Sequence, residues 1–413
     1  MATTAATAAT AAPESPGNRL PRLTGVDSLR AVAALLVLLL HTGHLPGPLV
    51  ALKPVAAFGW SGVGLFLVIS GFSIHFRWAA SDVPHHDFTP RRFFQRRFFR
   101  LYPTYLAAVV VTILLLLALG SSIRPTLPWV FANGNLPTWT VAVSTAALVA
   151  ANAIPVAYVG VAWSLGLEAQ LYVLYAALIG RLRRVGIMRI VVAMLVVALT
   201  FRFLSEFITS SMPVGQFFPG GRATSLSRLL YAQLPARSFE WWLGVLAAEA
   251  FFGRVQLPRW TRSPVMAVAL IFVAAALFRY PLGATSVNGH YYRVSDVLLD
   301  PLVGLGYFVL LQAVVSRERE ITSHRAARVV FGGLAAVGIF SYSLYLMHPI
   351  LLTAGDRLAT DARLPAVVAT VTSWMFVLLG AWVFHRVIER PFISGQGDRW
   401  LMSRLPQRQP RRL

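Results

Sequence analysis

Residues 29–45 read LRAVAALLVLLLHTGHL: Arg30 near the head, ten uninterrupted apolar residues from Ala31 to Leu40, and then His41. A helix needs about 17–25 mostly apolar residues to cross a bilayer. This run meets that length, with one ionisable side chain at its mouth and another deep inside. Working outward, comparable stretches recur at 56–78, 98–119, 162–180, 187–205, 236–252, 263–280, 294–316, 330–353 and 363–386. The sequence therefore predicts an all-α membrane protein, ten transmembrane helices in a single bundle. The stretch 128–160 is also apolar, but Pro128, Asn133, Gly134, Asn135, Pro137, Asn152 and Pro155 interrupt it. It reads as a re-entrant or interfacial segment, which is tolerated where irregular backbone packs on protein or lines a cavity.

Composition supports this reading. Of 413 residues, 56% are hydrophobic and 13% charged, with a mean hydropathy of +0.63. A soluble chain carries about a quarter charged residues, so a soluble globular enzyme is excluded. The net charge of +21 comes almost entirely from arginine, since Lys53 is the one lysine. A basic excess can signal nucleic-acid binding, but these arginines fall between apolar runs, where topology explains them. With the N-terminus inside, 27 basic residues fall in the inner connections and seven in the outer ones. That bias places both termini in the cytoplasm of a plasma-membrane protein. Counting 128–160 as a span would put Arg181, Arg183 and Arg184 outside, so it stays out of the count. Residues 1–24 read as a disordered tail without the apolar core of a signal peptide, 25–393 as one membrane domain, and 394–413 as a basic cytoplasmic tail. The absence of cysteine removes disulfides and thiol nucleophiles. No HExxH, Walker A or GxSxG pattern is present, and no metal site is expected.

Charge at membrane depth costs roughly 3 kcal/mol or more per group, so each instance needs a partner or a task. Arg30 and His41 are eleven positions apart, about three helical turns and ~16 Å of rise, which puts them on one face. Ala34 and Val37 between them are small enough to leave a groove. Each residue alone has a plainer use, as topology anchor or interhelical hydrogen bond; together they resemble a path from an anion to a buried base. Arg91, Arg92, Arg96, Arg97 and Arg100 cluster with aromatics before the third helix. Part of this run anchors topology, but Arg97 and Arg100 share a face, and paired guanidiniums suit phosphate. Glu168 lies several residues into a span, and two uses stay open: neutralising a buried arginine, or orienting His41 and handling a proton. Arg237 and Glu240 are spaced for a structural ion pair. His348, before Pro349, reads as capping or packing, and His75 as lying near a loop or helix end.

Six motifs in series then give the chain a family resemblance. They are Asp27-Ser28-Leu29-Arg30 with His41, Phe66-Leu67-Val68-Ile69-Ser70-Gly71-Phe72, Arg97-Phe98-Phe99-Arg100-Leu101-Tyr102-Pro103, Trp163-Ser164-Leu165 with Glu168, Ser341-Tyr342-Ser343-Leu344-Tyr345-Leu346 with His348, and Glu389-Arg390-Pro391-Phe392. The series resembles the membrane acyltransferase-3 family from about 24 to 393. The resemblance implies an integral-membrane O-acyltransferase of about ten helices, which moves an acyl group, often acetyl, from cytoplasmic acyl-coenzyme A. The acceptor is a hydroxyl of a surface polysaccharide, cell-wall glycan, glycolipid or secreted small molecule. It maps the family's essential Arg and His onto Arg30 and His41, its paired arginines onto Arg97 and Arg100, and its acid onto Glu168. Ala169 and Leu171 depart from the family pattern. No C-terminal hydrolase-like domain is expected after the last helix, which leaves room for a small acceptor such as a macrolide antibiotic or its sugar.

The mechanism expected from these residues docks acyl-coenzyme A phosphates on Arg96, Arg97 and Arg100, with no permanently bound cofactor. His41 takes the proton of an acceptor hydroxyl, Arg30 or another buried donor steadies the oxyanion, and Glu168 orients the imidazole or the acceptor. The rival reading is a proton-coupled exporter of a sugar or drug, but the chain lacks the repeated halves and paired broken helices common in such transporters. No nucleic-acid partner is expected.

Overall fold

The computed structural model describes residues 22–80, 88–119, 161–210, 230–280, 284–287 and 290–393. The segment expected to re-enter at 128–160 lies outside these residues, as do both expected tails apart from Arg22, Leu23 and Thr24. Among shorter helical turns, the described residues form eleven helices of 14 residues or more: α1 (Thr24–His41), α2 (Gly62–Ala80), α3 (Pro90–Leu119), α4 (Ala162–Leu178), α5 (Ile187–Ser210), α6 (Leu234–Phe251), α7 (Pro264–Arg279), α8 (Val294–Val315), α9 (Arg325–Gly338), α10 (Ser341–Asp361) and α11 (Ala366–Phe384). One antiparallel hairpin, β1 (Ala284–Val287) with β2 (His290–Arg293), interrupts the helical pattern. Asn288-Gly289 separates its strands in sequence, a dipeptide that favours tight hairpins.

Among the described residues six helical stretches are long and apolar enough to cross a membrane, or seven if one bent pair counts as a span. The remaining helices have physical reasons to fall short of that measure. α4 and α7 have 17 and 16 residues, and α6 carries Arg237, Glu240 and Glu249. The expected continuous span 330–353 is corrected to a broken one: α9 stops at Gly338 and α10 starts at Ser341, bent by 65°. Gly338 presses on the backbone of Asp27, where any Cβ would overlap the Asp27 carbonyl. Glycine at this position lets α9 and α1 meet backbone to backbone.

The bundle has an apolar core, apolar outer faces and a few buried charges. Val265, Phe272 and Leu117 are more than 70% exposed on outer faces, as lipid contact demands. Arg202, Arg237, Glu240, Asp300, His75 and Glu249 are buried. α2 packs along α6 through two facing glycines. A Cβ at Gly71 would strike the Trp241 carbonyl, and one at Gly244 would strike that of Val68. Small residues let membrane helices approach this closely. α1 begins at Thr24 because Glu318 supplies the missing acceptor there, taking hydrogen bonds from the amides of Thr24 (2.5 Å) and Gly25 (3.0 Å). An anion at a helix N-terminus is favourable. This early start places Asp27 and Arg30 on the helix.

Candidate active site

A cavity of about 830 Å³ opens between α1, α2, α3, α4, α10 and the chain after α11. Its α2 wall runs from Phe76 to Val63, thirteen residues or ~20 Å of helix rise, so it is a shaft and not a surface dent. Six arginines line it, Arg22, Arg30, Arg97, Arg100, Arg386 and Arg390, against three carboxylates, Asp27, Glu168 and Glu389. The excess of positive charge fits an anionic ligand.

The carboxylates are already engaged. Asp27 accepts from Arg22 Nε at 2.5 Å and from Arg30 Nη1 at 2.7 Å. Arg30 Nη2 also donates to Ser73 Oγ at 2.8 Å, which holds the guanidinium at the cavity wall. Glu168 Oε1 accepts from Ser70 Oγ, whose oxygen in turn takes the Trp241 indole N–H at 3.3 Å. Glu389 accepts from Ser343 Oγ at 2.5 Å and lies 2.8 Å from His385 Nδ1. Arg97 has no ion-pair partner among the described residues. Its guanidinium sits 5.8 Å from the Phe93 ring centre and 5.9 Å from that of Tyr172, and its buried Nε has no hydrogen-bond partner. A cation braced by aromatic faces with an unused donor is suited to a phosphate.

Two tyrosines of α10 tie the cavity together. Tyr345 Oη meets Ser164 Oγ at 2.6 Å and donates to the Val161 carbonyl at 3.2 Å, while Tyr342 Oη donates to the Leu101 carbonyl at 2.9 Å. Phe66 packs edge-on against Tyr345, ring centres 5.5 Å apart, at the inner end of the shaft. Just beyond this pair lie two imidazoles. The Tyr345 and His348 rings are 6.1 Å apart, and His348 is 4.8 Å from His41. His348 Nε2 stands 3.2 Å from His41 Nδ1, which also lies 2.8 Å from the Val37 carbonyl.

The residues singled out in the sequence therefore fall into two groups. Arg30, Arg97, Arg100 and Glu168 share the cavity, whereas His41 lies past its inner end and is not part of the lining. The expected groove between Arg30 and His41 is absent from that lining, because Ala34 and Val37 are both 2% exposed within packed apolar side chains. Arg30, ~16 Å of helix rise from His41, lines the same cavity as Arg97 and Arg100. Arg96 is not brought to the cavity with them. One position from Arg97 it points ~100° around the helix, is exposed, and does not line the cavity.

The region 23–386 matches the model of a family described as an acyltransferase domain. The chain belongs to the acyltransferase-3 family. Over 86 residues it is also 37% identical to "Putative membrane-bound transacylase BcsY" of Komagataeibacter xylinus, covering 21% of this chain and 18% of that protein. The match thus spans under a fifth of that relative's length. No solved structure matches the chain.

This member of the family builds its cavity from all six motifs read in the sequence, although they are scattered along the chain. Sequence reasoning took His348 for capping or packing and did not anticipate its contact with His41, 307 positions away. It also misplaced His75, which is fully buried, with Nδ1 2.9 Å from Tyr175 Oη and Nε2 2.5 Å from Glu249 Oε1. The predicted Arg237–Glu240 pair is present at 3.2 Å. It extends to Asp300, which contacts Arg237 and accepts from Arg202 Nη1 at 2.6 Å. This paired network lies outside the cavity lining and reads as structural.

Proposed function

We propose that this membrane acyltransferase takes its acyl group, acetyl or another short chain, from acyl-coenzyme A and delivers it to a hydroxyl of a carbohydrate-containing acceptor. The observation that carries this reading is the single shaft holding Arg30, Arg97 and Arg100 at its mouth, with His41 just past its inner end. A nucleotide phosphate end at the arginines and a long thioester arm threaded inward match that length and charge. Within this reading the chain has ten crossings in the plasma membrane, both termini cytoplasmic, and the arginine mouth opens to the cytosol.

In the reaction His41 accepts the proton of the acceptor hydroxyl as that oxygen bonds to the thioester carbonyl carbon. The tetrahedral adduct then collapses, the carbon–sulfur bond breaks, and the imidazolium proton passes to the departing coenzyme A thiolate, leaving His41 neutral. The Phe66–Tyr345 ring pair stands between shaft and base, so the arm has to displace it or pass beside it. Glu168, held by Ser70, lines the route and steers the acceptor or the arm. A secondary metabolite such as a glycosylated macrolide fits the same chemistry as acceptor. Mass spectrometry of extracts made with and without the protein distinguishes the two acceptor classes.

The test is release of free coenzyme A by purified protein in nanodiscs. The reading requires acceptor-dependent release that His41→Ala abolishes. An exporter of the acceptor releases none in either condition, and that result would sink the reading.

A further inference from the structure

Pro349 lies inside α10 and carries no amide hydrogen. The carbonyl four residues earlier, that of Tyr345, thereby loses its helical donor. His348 supplies the replacement: its Nδ1 is 2.9 Å from the Tyr345 oxygen and 3.3 Å from that of Leu344. A ring nitrogen between two carbonyl oxygens must carry the hydrogen, because carbonyls only accept. The neutral His348 ring then has its lone pair on Nε2, and that atom is 3.2 Å from His41 Nδ1. On the His41 side, Nδ1 faces both this lone pair and the Val37 carbonyl at 2.8 Å, two acceptors, so it too must bear hydrogen. The basic nitrogen of His41 is consequently Nε2.

We infer that His348 is a positioning residue for acyl transfer: through the proline-freed carbonyl it is locked as an acceptor, and it holds His41 in the tautomer whose Nε2 takes the acceptor proton. The inference rests on the role of His41 stated above and adds the group that sets its orientation. Burial favours the same arrangement, since His348 is 1% exposed and its ring nitrogens meet protein partners. When His41 becomes an imidazolium, Nδ1–H still points at the His348 lone pair, so the charged intermediate keeps its partner. The second histidine does not itself touch the reacting atoms. Its effect falls on kcat and not on acyl-coenzyme A affinity, because the phosphates are held at the far end of the shaft.

The experiment measures kcat and KM for acyl-coenzyme A in full-length protein carrying His348→Phe, His348→Gln, Pro349→Ala, His41→Ala, or His41→Ala with His348→Phe. Phenylalanine fills the site without an acceptor and lowers kcat on the order of 100-fold, with KM within about twofold. Glutamine, whose amide oxygen reaches the Nε2 position, restores at least about tenfold of that loss. Pro349→Ala returns a backbone donor to Tyr345 and lowers kcat with KM unchanged. The double variant is no slower than His41→Ala alone, because a positioning residue has nothing left to position. If His348→Phe retains kcat within threefold, or if Phe and Gln lose activity equally while KM rises in step, the inference is overturned. Should His348→Phe fail to fold, the Gln and Pro349→Ala variants decide by the same criteria. An active His41→Ala protein is a different result and refutes the base assignment itself.

Discussion

Replacing Arg97 with methionine isolates the proposed phosphate contact. Methionine keeps the unbranched apolar stem between Phe93 and Tyr172 and removes only the charge and its donors. No carboxylate is stranded, since Arg97 pairs with none among the described residues, so the fold should tolerate the change. A charge-assisted hydrogen bond contributes about 1.5–3 kcal/mol, and tenfold in affinity corresponds to about 1.4 kcal/mol. The expected loss in coenzyme A affinity is therefore roughly 10- to 150-fold. Arg100 is more exposed, and screening reduces its contribution to about 1 kcal/mol or less, near fivefold. Calorimetric titration of coenzyme A into nanodisc-held protein at two salt concentrations reads both effects, and affinity of the parent should fall with added salt. Arg96→Met, on the other face, leaves affinity unchanged. If Arg97→Met binds within twofold of the parent, or if Arg96→Met is the variant that fails, the phosphate site lies elsewhere.

Further tests address the scaffold and the topology. Gly71→Val forces a side chain into the Trp241 backbone and overpacks the α2–α6 contact; thermal unfolding should show about 1–3 kcal/mol of destabilisation or outright loss of folded protein. Arg237→Ala leaves Glu240 without its cation and removes one of the two arginines on Asp300, a buried break of about 3–5 kcal/mol, visible as a lowered unfolding midpoint. Glu389→Ala strands Ser343 Oγ and His385 Nδ1 and should cost about 1–3 kcal/mol in the same measurement. Because the chain has no cysteine, Arg96→Cys and Asp361→Cys give clean topology probes. An impermeant maleimide added to intact cells should label position 361 and spare position 96; the reverse pattern would invert the assigned orientation.

What the sequence made legible was what one helix can encode. Arg97 and Arg100 are three apart and share the cavity, and Arg237 with Glu240 formed the expected pair for the same reason. Arg96 belongs to the same cluster in sequence but to another face in space. Partners supplied by distant segments were not readable: Asp300 completing the Arg237 network, Glu318 capping α1, and Ser70 holding Glu168. The close approach of Gly338 to the Asp27 backbone, next to the break between α9 and α10, is likewise a contact without a local signature. His348 did carry a local signal. A histidine immediately before a helical proline lies beside the carbonyl that the proline orphans, and that geometry gives the ring a defined donor and acceptor end.

An experimental structure with a non-transferable acyl-coenzyme A analogue tests the central claim most directly. The account predicts phosphate oxygens within hydrogen-bond distance of Arg97, with Arg30 and Arg100 beside them, and the carbonyl carbon of the acyl group next to His41 Nε2. Phosphates bound away from these arginines, or an acyl carbonyl ending on the arginine side of the Phe66–Tyr345 pair, would contradict it.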